Sequence, residues 1–311
     1  MEQIFKCKMF KADYSEDHAF LRGPLTVKLQ IDIPHTMQVE INQCGSRTIK
    51  IESSVDVPAN ALYSVFSRVE RLLMIFDGRF IPLRTLEFLN SDETPSKHLI
   101  SYANHCLNNR LAYFHSSDFC RHSFNRLIDF EEVLTKELYL KWVELLDNLD
   151  IVHQVYLYAL CGKELPTDVK CAFLIELAEP LVETLKAFKQ LFPALKPGKN
   201  GTTLKDCLNA LITEYGGIIF KKELSENYNS FLQVLVNSRK RIMHIKRNQG
   251  GLFFDGKESV LYAVKMYLLY RQIIFDLLDI DQTKYKERLK ECTNSWNQWN
   301  DVLEHFMMKL L

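Results

Sequence analysis

Apolar and polar residues alternate along the start of the chain, which predicts β-strands there. The alternation is unbroken over residues 25–33 (Leu-Thr-Val-Lys-Leu-Gln-Ile-Asp-Ile), and it continues at residues 39–41 and 49–51. Each of these segments would therefore bury one face and expose the other. Residues 42–46, which contain a glycine, form the expected hairpin connection. Residues 3–10 give a weaker strand pattern.

A helical pattern follows over residues 60–76, where apolar side chains recur at spacings of three and four. Asp77-Gly78 is the expected end of this helix. Strand character returns at residues 80–88. The pattern over residues 98–130 is harder to interpret, and the aromatic side chains around residue 113 favour one or two further strands there.

The remainder of the chain, from about residue 134, has helical periodicity interrupted by glycine and proline. The predicted helices span residues 134–147, 149–161, 167–190, 202–214, 222–247, 256–279 and 283–309. Residues 260–275 are apolar on nearly every face, so we expect this helix at the centre of a bundle. The predicted fold class is therefore α+β. A mixed N-terminal domain with antiparallel strands and a helix occupies residues 1–130, and an all-α helical bundle occupies residues 131–311.

Composition restricts the classes of function that the chain can have. Its 311 residues carry 39 basic and 39 acidic side chains, so the net charge is zero and any affinity for nucleic acid must come from local basic patches. No phosphate-binding glycine loop and no dinucleotide-binding glycine motif occurs. No group of histidines, cysteines and carboxylates has the spacing of a metal site. We therefore expect neither a cofactor nor a catalytic metal.

The sequence also indicates a cytoplasmic protein without a membrane segment. The N-terminal residues lack the long apolar region of a signal peptide. Lys265 and Arg271 interrupt the longest apolar stretch, which is therefore too short to span a bilayer.

The densest cluster of positive charge lies in residues 237–247, Asn-Ser-Arg-Lys-Arg-Ile-Met-His-Ile-Lys-Arg. Four residues separate Arg239 from His244 within it. The same spacing separates Arg110 from His115, and such short matches also arise by chance. We attribute the second match to chance because no predicted helix surrounds it, whereas the first falls in the helical pattern over residues 222–247.

Ideal helix geometry places Arg239 and His244 about 140° apart around the axis. One straight helix would therefore not bring the two side chains together, so either the helix is distorted or a second copy of the chain completes the pair. A simpler alternative is a solvated helix end, in which Lys246 and Arg247 complement the helix dipole and Gly250-Gly251 stops the helix.

The Arg-x4-His arrangement, followed by Gln-Gly-Gly and the long apolar helix, resembles a HEPN domain over roughly residues 135–280. The strands, residues 66–78 and the strand at 80–88 are similar to an ApeA-type N-terminal domain. The resemblance as a whole is to the ApeA-like bacterial anti-phage proteins, and it implies a metal-independent ribonuclease that restricts phage by cleaving RNA. HEPN domains commonly dimerise with their motifs facing each other, so a homodimer is expected.

The chemistry of these side chains suggests their roles. Histidine suits a general base or acid near neutral pH, which assigns His244 to proton transfer. Arginine stays charged and can donate two hydrogen bonds to a phosphate, which assigns Arg239 to stabilisation of the transition state. Asn237 would orient a phosphate or the imidazole. The residues expected to hold the RNA backbone are Lys240, Arg241, Lys246 and Arg247.

One position departs from the family pattern. Many active HEPN motifs carry Asn, Asp or His directly after the arginine, where this chain has Lys240. Asn237 lies nearby but precedes the arginine. The expected partners are RNA, with transfer RNA as the family's candidate substrate, and a phage-derived trigger. The alternative interpretation is a non-catalytic HEPN-like dimer that binds RNA or protein through the same basic helix.

Overall fold

The computed structural model describes residues 6–15, 24–32, 35–113, 125–162, 164–195, 202–244 and 251–308, with only the backbone at 111–113 and 302–308. The chain divides into two compact units between Val143 and Glu144, inside helix α3. The sequence placed this boundary at about residue 130. An antiparallel sheet with helices, followed by a helical region, confirms the predicted α+β class.

The first unit is built on a five-stranded antiparallel sheet with the strand order β2-β3-β4-β1-β5. Its strands are β1 Lys6–Tyr14, β2 Leu25–Ile31, β3 Met37–Cys44, β4 Ser46–Pro58 and β5 Leu83–Leu89. Its helices are α1 Ala59–Asp77, α2 Ile100–Tyr113 and α3 Lys136–Leu149, the last of which continues into the second unit. The weak strand pattern near the N-terminus thus becomes β1, which pairs with both β4 and β5.

Helix α1 packs on the sheet because its apolar residues recur on one face. Phe66 of α1 meets Phe10 of β1 with ring centroids 4.9 Å apart, and Phe88 of β5 lies on Phe10 at 5.3 Å. All three rings are buried. Gly78 ends the helix as predicted: it adopts a φ of 65°, which glycine tolerates, and its N–H donates to the carbonyl of Met74 at 2.8 Å.

The expectation of further strands within residues 98–130 is wrong for residues 100–113, which form α2. Leu99, Ala103 and Cys106 are buried at spacings of four and three, so this segment presents a helical stripe rather than an alternating one. Tyr102 of α2 stacks on Phe88, with ring centroids 5.4 Å apart. Residues 114–124, including Phe114 and His115, lie outside the described residues.

The second unit is helical in its described residues. Its helices are α4 Ile151–Cys161, α5 Thr167–Glu176, α6 Ala178–Lys189, α7 Leu204–Tyr215, α8 Lys221–Ser225, α9 Tyr228–Met243, α10 Gly256–Leu277 and α11 Lys286–Met308. As expected, α10 is central. It is buried along almost its whole length and packs against α5, α6, α7 and α11.

Two predicted helices are each divided in the structure. The segment 167–190 breaks at Leu177, because Pro180 cannot donate a backbone hydrogen bond and its ring would clash with the carbonyl of Glu176. The segment 222–247 forms α8 and α9, with Asn227 at the N-cap of α9. Asparagine side chains favour such helix boundaries. Helix α9 then ends at Met243, earlier than predicted.

Candidate active site

The predicted site lies at the C-terminal end of α9. This helix buries an apolar face against α5 and α7, formed by Phe231, Leu232, Leu235 and Val236. The charged end of the helix is more open: Arg239 and Arg241 are half-buried, and Lys240 and His244 are exposed. The apolar face therefore fixes α9 in the bundle, while its last turn presents polar side chains.

Arg239 is held by a carboxylate of another helix. Its Nη2 donates to Oε1 of Glu176 at 2.6 Å, and its Nε donates to Oε2 of the same residue. Glu176 is the last residue of α5, where Pro180 interrupts the helix. The hydrogen bonds to Glu176 raise the pKa of Arg239 above its usual value, against the opposing effect of burial, and the charges of Glu176 and Glu179 act in the same direction. Arg239 is thus a charged and oriented donor.

His244 reaches the same guanidinium from the end of its own helix. It has left the helical path (φ −105°, ψ 2°), and its N–H still donates to the carbonyl of Lys240 at 3.1 Å. Its Nε2 lies 3.0 Å from Nη1 of Arg239. Arginine only donates, so Nε2 accepts this hydrogen bond and is unprotonated in this arrangement.

The position at which α9 ends explains how Arg239 and His244 can meet although an ideal helix would separate them. The angle of about 140° applies only if both residues lie on one continuous helix. Because α9 ends at Met243, the imidazole of His244 can turn back towards Arg239. The two side chains meet within one chain, without a contribution from a second copy.

Three other residues of α9 hold the chain segment that returns to α10. Asn237 donates through Nδ2 to the carbonyl of Leu252 at 3.1 Å, and Ser238 Oγ accepts from the N–H of Phe254 at 2.8 Å. The guanidinium carbon of Arg241 lies 3.9 Å from the centre of the Phe253 ring, in a cation–π contact. These residues therefore shape the loop beside the Arg239–His244 pair.

The side chain of Asn237 is engaged at both ends, because its Oδ1 also accepts from Gln233 at 3.0 Å. Gly251 has a φ of 152°, which favours glycine, and a Cβ atom there would lie only 2.9 Å from Nδ2 of Asn237. In this structure Asn237 thus contacts the loop rather than the imidazole. Lys246 and Arg247 lie outside the described residues.

Sequence reasoning missed Glu176. It lies 63 positions from Arg239, so no local pattern connects the two residues. Pro180 was the available signal, since a proline inside a predicted helix indicates a break near the residue four positions earlier.

The second Arg-x4-His match has a different setting: Arg110 forms an ion pair with Glu70, whose side chain is only 2% exposed.

Comparison with protein families bears directly on this unit. Residues 169–284, from α5 to just beyond α10, match the family of Apea-like HEPN domains. This segment is similar to Apea-like HEPN domains. Glu176, Arg239 and His244 all lie within it. No curated protein and no solved structure matches the chain.

Two further observations concern the described residues. In that part of the chain, no three or more histidine, cysteine or carboxylate side chains are grouped so that they could hold a metal ion. Among the same residues, no helix combines the length and apolar character needed to cross a bilayer.

Proposed function

We propose that this protein is a metal-independent endoribonuclease of the HEPN type that acts in bacterial anti-phage defence, in the cytoplasm. One observation carries the proposal: within the HEPN domain, Nη1 of Arg239 and Nε2 of His244 lie 3.0 Å apart at an exposed helix end. A charged side chain that can bind a phosphate therefore lies beside a side chain that can transfer a proton. RNA cleavage through attack by a 2′-hydroxyl requires both groups.

The reaction begins with an exchange of partners. A substrate phosphate takes the Nη1 donor of Arg239, which frees the lone pair of Nε2 on His244. Nε2 then accepts the proton of the 2′-hydroxyl while the 2′-oxygen attacks phosphorus. The bond from phosphorus to the 5′-oxygen breaks, and the leaving oxygen takes a proton from an imidazolium. The products are a 2′,3′-cyclic phosphate and a 5′-hydroxyl. Arg239 stabilises the negative charge that develops at the phosphate in the transition state.

A homodimer would supply one histidine for each proton transfer, while each Arg239–His244 pair stays within its own chain. Mixing Arg239→Ala protein with His244→Ala protein tests this arrangement after subunit exchange. We expect no recovery of cleavage, because each variant chain lacks half of its own pair. If the pair instead formed across the dimer, each mixed dimer would contain one intact pair, and cleavage would rise above that of either variant alone.

RNA would be held mainly through its backbone. Lys240 is exposed beside the Arg239–His244 pair and would contact phosphates without reading sequence. Arg241, Lys246 and Arg247 would extend this surface, and Asn237 would support it by fixing the loop. Transfer RNA is the candidate substrate, and a phage-derived trigger would raise the activity above its basal level.

The direct experiment incubates the purified full-length protein with total bacterial RNA in EDTA, with His244→Ala in parallel. We expect cleavage by the wild type alone, with cyclic phosphate ends. Equal cleavage by both proteins would assign the activity to a contaminant or another site. Cleavage that needs added magnesium and leaves 5′-phosphates would contradict the mechanism.

One observation favours the alternative of a non-catalytic module that binds RNA or protein. Two donors of Arg239 are occupied by Glu176, so the guanidinium is partly neutralised before any substrate arrives. Under this alternative the wild type binds RNA in a salt-sensitive manner without cleaving it, and Arg241→Ala weakens the binding.

A further inference from the structure

Glu176 contacts one particular edge of Arg239. It accepts from Nε and Nη2, whereas His244 accepts from Nη1. A guanidinium has five N–H groups, so these contacts, taken over the described residues, commit three and leave two on Nη1 and Nη2. Glu176 thus occupies the Nε–Nη2 edge of the guanidinium, and the Nη1–Nη2 edge is the one that is not turned towards Glu176.

We propose that Glu176 is a positioning residue for the ribonuclease reaction, which fixes Arg239 so that its Nη1–Nη2 edge receives the scissile phosphate beside His244. The inference rests on the function proposed above. It adds a residue to the site and a direction of approach for the phosphate.

The structure gives Glu176 the rigidity that this role requires. It ends α5, a helix packed on α4, α9 and α10. Its neighbours Ile175 and Leu177 are buried, so its backbone is anchored on both sides. Arg239 has a long flexible side chain that would otherwise sample many rotamers, and the two hydrogen bonds restrict it to one. The side chain of Arg239 is 18% exposed, so it is not fully enclosed.

A carboxylate beside a phosphate site has opposite effects on binding and on catalysis. Its negative charge repels RNA, so removing it should leave binding unchanged or make it tighter. Removing it also frees Arg239 to move away from the position where transition-state charge develops. A misplacement of about 1 Å can cost about 100-fold in rate. The two effects predict a fall in kcat without a rise in KM.

Glu176→Gln is the test, because glutamine keeps the size of the side chain but cannot accept from both donors of Arg239 as a carboxylate does. Glu179→Gln is the matched control: Glu179 is exposed, lies three residues away and acts on Arg239 through charge. Both variants are compared with the wild type in the full-length protein. The substrate is a labelled unstructured RNA oligonucleotide, and binding is measured with its 2′-O-methyl counterpart.

We expect Glu176→Gln to lower kcat by about 10- to 100-fold, with KM and binding of the 2′-O-methyl RNA unchanged or tighter. Glu179→Gln should behave like the wild type, and the unfolding midpoints of all three proteins should agree. A kcat at or above the wild-type value would overturn the inference, as would weaker binding or a lowered unfolding midpoint in Glu176→Gln.

The failures of the two proposals can be told apart. If the wild type cleaves no RNA, the proposed function fails and this inference fails with it. If the wild type cleaves, Arg239→Ala does not, and Glu176→Gln matches the wild type, only the role of Glu176 is refuted.

Discussion

Arg110 and Arg239 stand at the same spacing from a histidine in sequence, and each forms an ion pair with a glutamate from another helix. Their surroundings differ. The Arg110 and Glu70 side chains are 12% and 2% exposed, whereas those of Arg239 and Glu176 are 18% and 36% exposed. Arg110 also lies over the ring of Phe66, in the core of the first unit. Arg239 instead contacts an exposed histidine.

The difference shows that the exposure of the ion pair, rather than the spacing to a histidine, separates a structural arginine from a candidate catalytic one. Burial alone would lower the pKa of Arg110, but the charge of Glu70 and the smaller contributions of Tyr63 and Tyr14 together outweigh burial and raise it. In the sealed pair of Arg110 and Glu70 the carboxylate is buried, so breaking the pair leaves an uncompensated buried charge. The open pair, Arg239 and Glu176, is more exposed. A water molecule or a phosphate can therefore replace one of the hydrogen-bond partners of Arg239.

The largest expected effect is on catalysis in the open pair. Arg239→Ala should reduce RNA cleavage by about 1,000-fold, or about 4 kcal/mol, because the transition state loses its positioned donor. Single-turnover cleavage of a labelled RNA measures this loss. Arg239→Leu should shift the free energy of unfolding by only about 1 kcal/mol or less, since partly exposed ion pairs contribute little. If Arg239→Leu lowered the free energy of unfolding by several kcal/mol, Arg239 would have the structural role expected of Arg110, and the contrast between the two arginines would be wrong.

The next effect is on stability in the sealed pair. Arg110→Leu should destabilise the first unit by about 3 kcal/mol or more, because Glu70 is left charged and buried. Replacing both residues by leucine should recover most of that loss. Denaturant unfolding followed by the fluorescence of Trp142, in a background with Trp296→Phe and Trp299→Phe, measures both variants. If the double variant were as unstable as the single one, the sealed pair would not behave as an ion pair.

A smaller effect with a defined pH dependence concerns Asp77, which accepts from Arg47 and Arg126 in the same unit. Burial opposes its ionisation, but the charges of Arg47 and Arg126 prevail and lower the pKa of Asp77 to about 2. Because the folded pKa lies below the unfolded value of about 4, the stabilisation is present above about pH 4 and is lost as the pH falls towards 2. At neutral pH it amounts to about 2 to 3 kcal/mol.

Asp77→Asn tests this dependence. The variant should be less stable than the wild type at pH 7, and the difference should shrink as the pH falls from about 4 to about 2. The same Trp142 fluorescence background reports the free energy of unfolding across this range. A difference that stays constant down to pH 2 would contradict the assigned cause.

The smallest effect concerns RNA binding outside the pair. Lys240→Ser removes one exposed cation beside Arg239, and it should weaken binding of single-stranded RNA by a few fold. The slope of log affinity against log salt should fall by about 0.7. Lys221, an exposed lysine that precedes the N-terminus of α9, provides the control as Lys221→Ser. Equal changes in the two variants would show that the surface near Arg239 has no special role in binding.

The parts of the fold that the sequence predicted correctly depend on local patterns. Strict alternation located β2, β3 and β4, and the apolar stripe followed by Gly78 located α1. The strand expected near residue 113 was wrong because the aromatic content of that segment was given more weight than the spacing of Leu99, Ala103 and Cys106.

The site was only partly predictable for a related reason. Arg239 and His244 were found from a short motif, but their contact depends on where α9 ends, and helix ends are the least reliable part of a pattern. The contact between Arg239 and Glu176 joins two distant segments, so it depends on how α5 and α9 pack. The hydrophobic periodicity of either segment does not predict which helices pack together.

We propose that the Arg239–His244 pair promotes attack by a 2′-hydroxyl. The most direct test gives the wild-type protein, in EDTA, a labelled RNA oligonucleotide and the same sequence with 2′-O-methyl groups throughout. We predict that only the RNA is cleaved, that its fragments carry 2′,3′-cyclic phosphates, and that His244→Ala leaves the RNA intact. Cleavage of the 2′-O-methyl strand, or unchanged RNA cleavage by His244→Ala, would contradict the proposal.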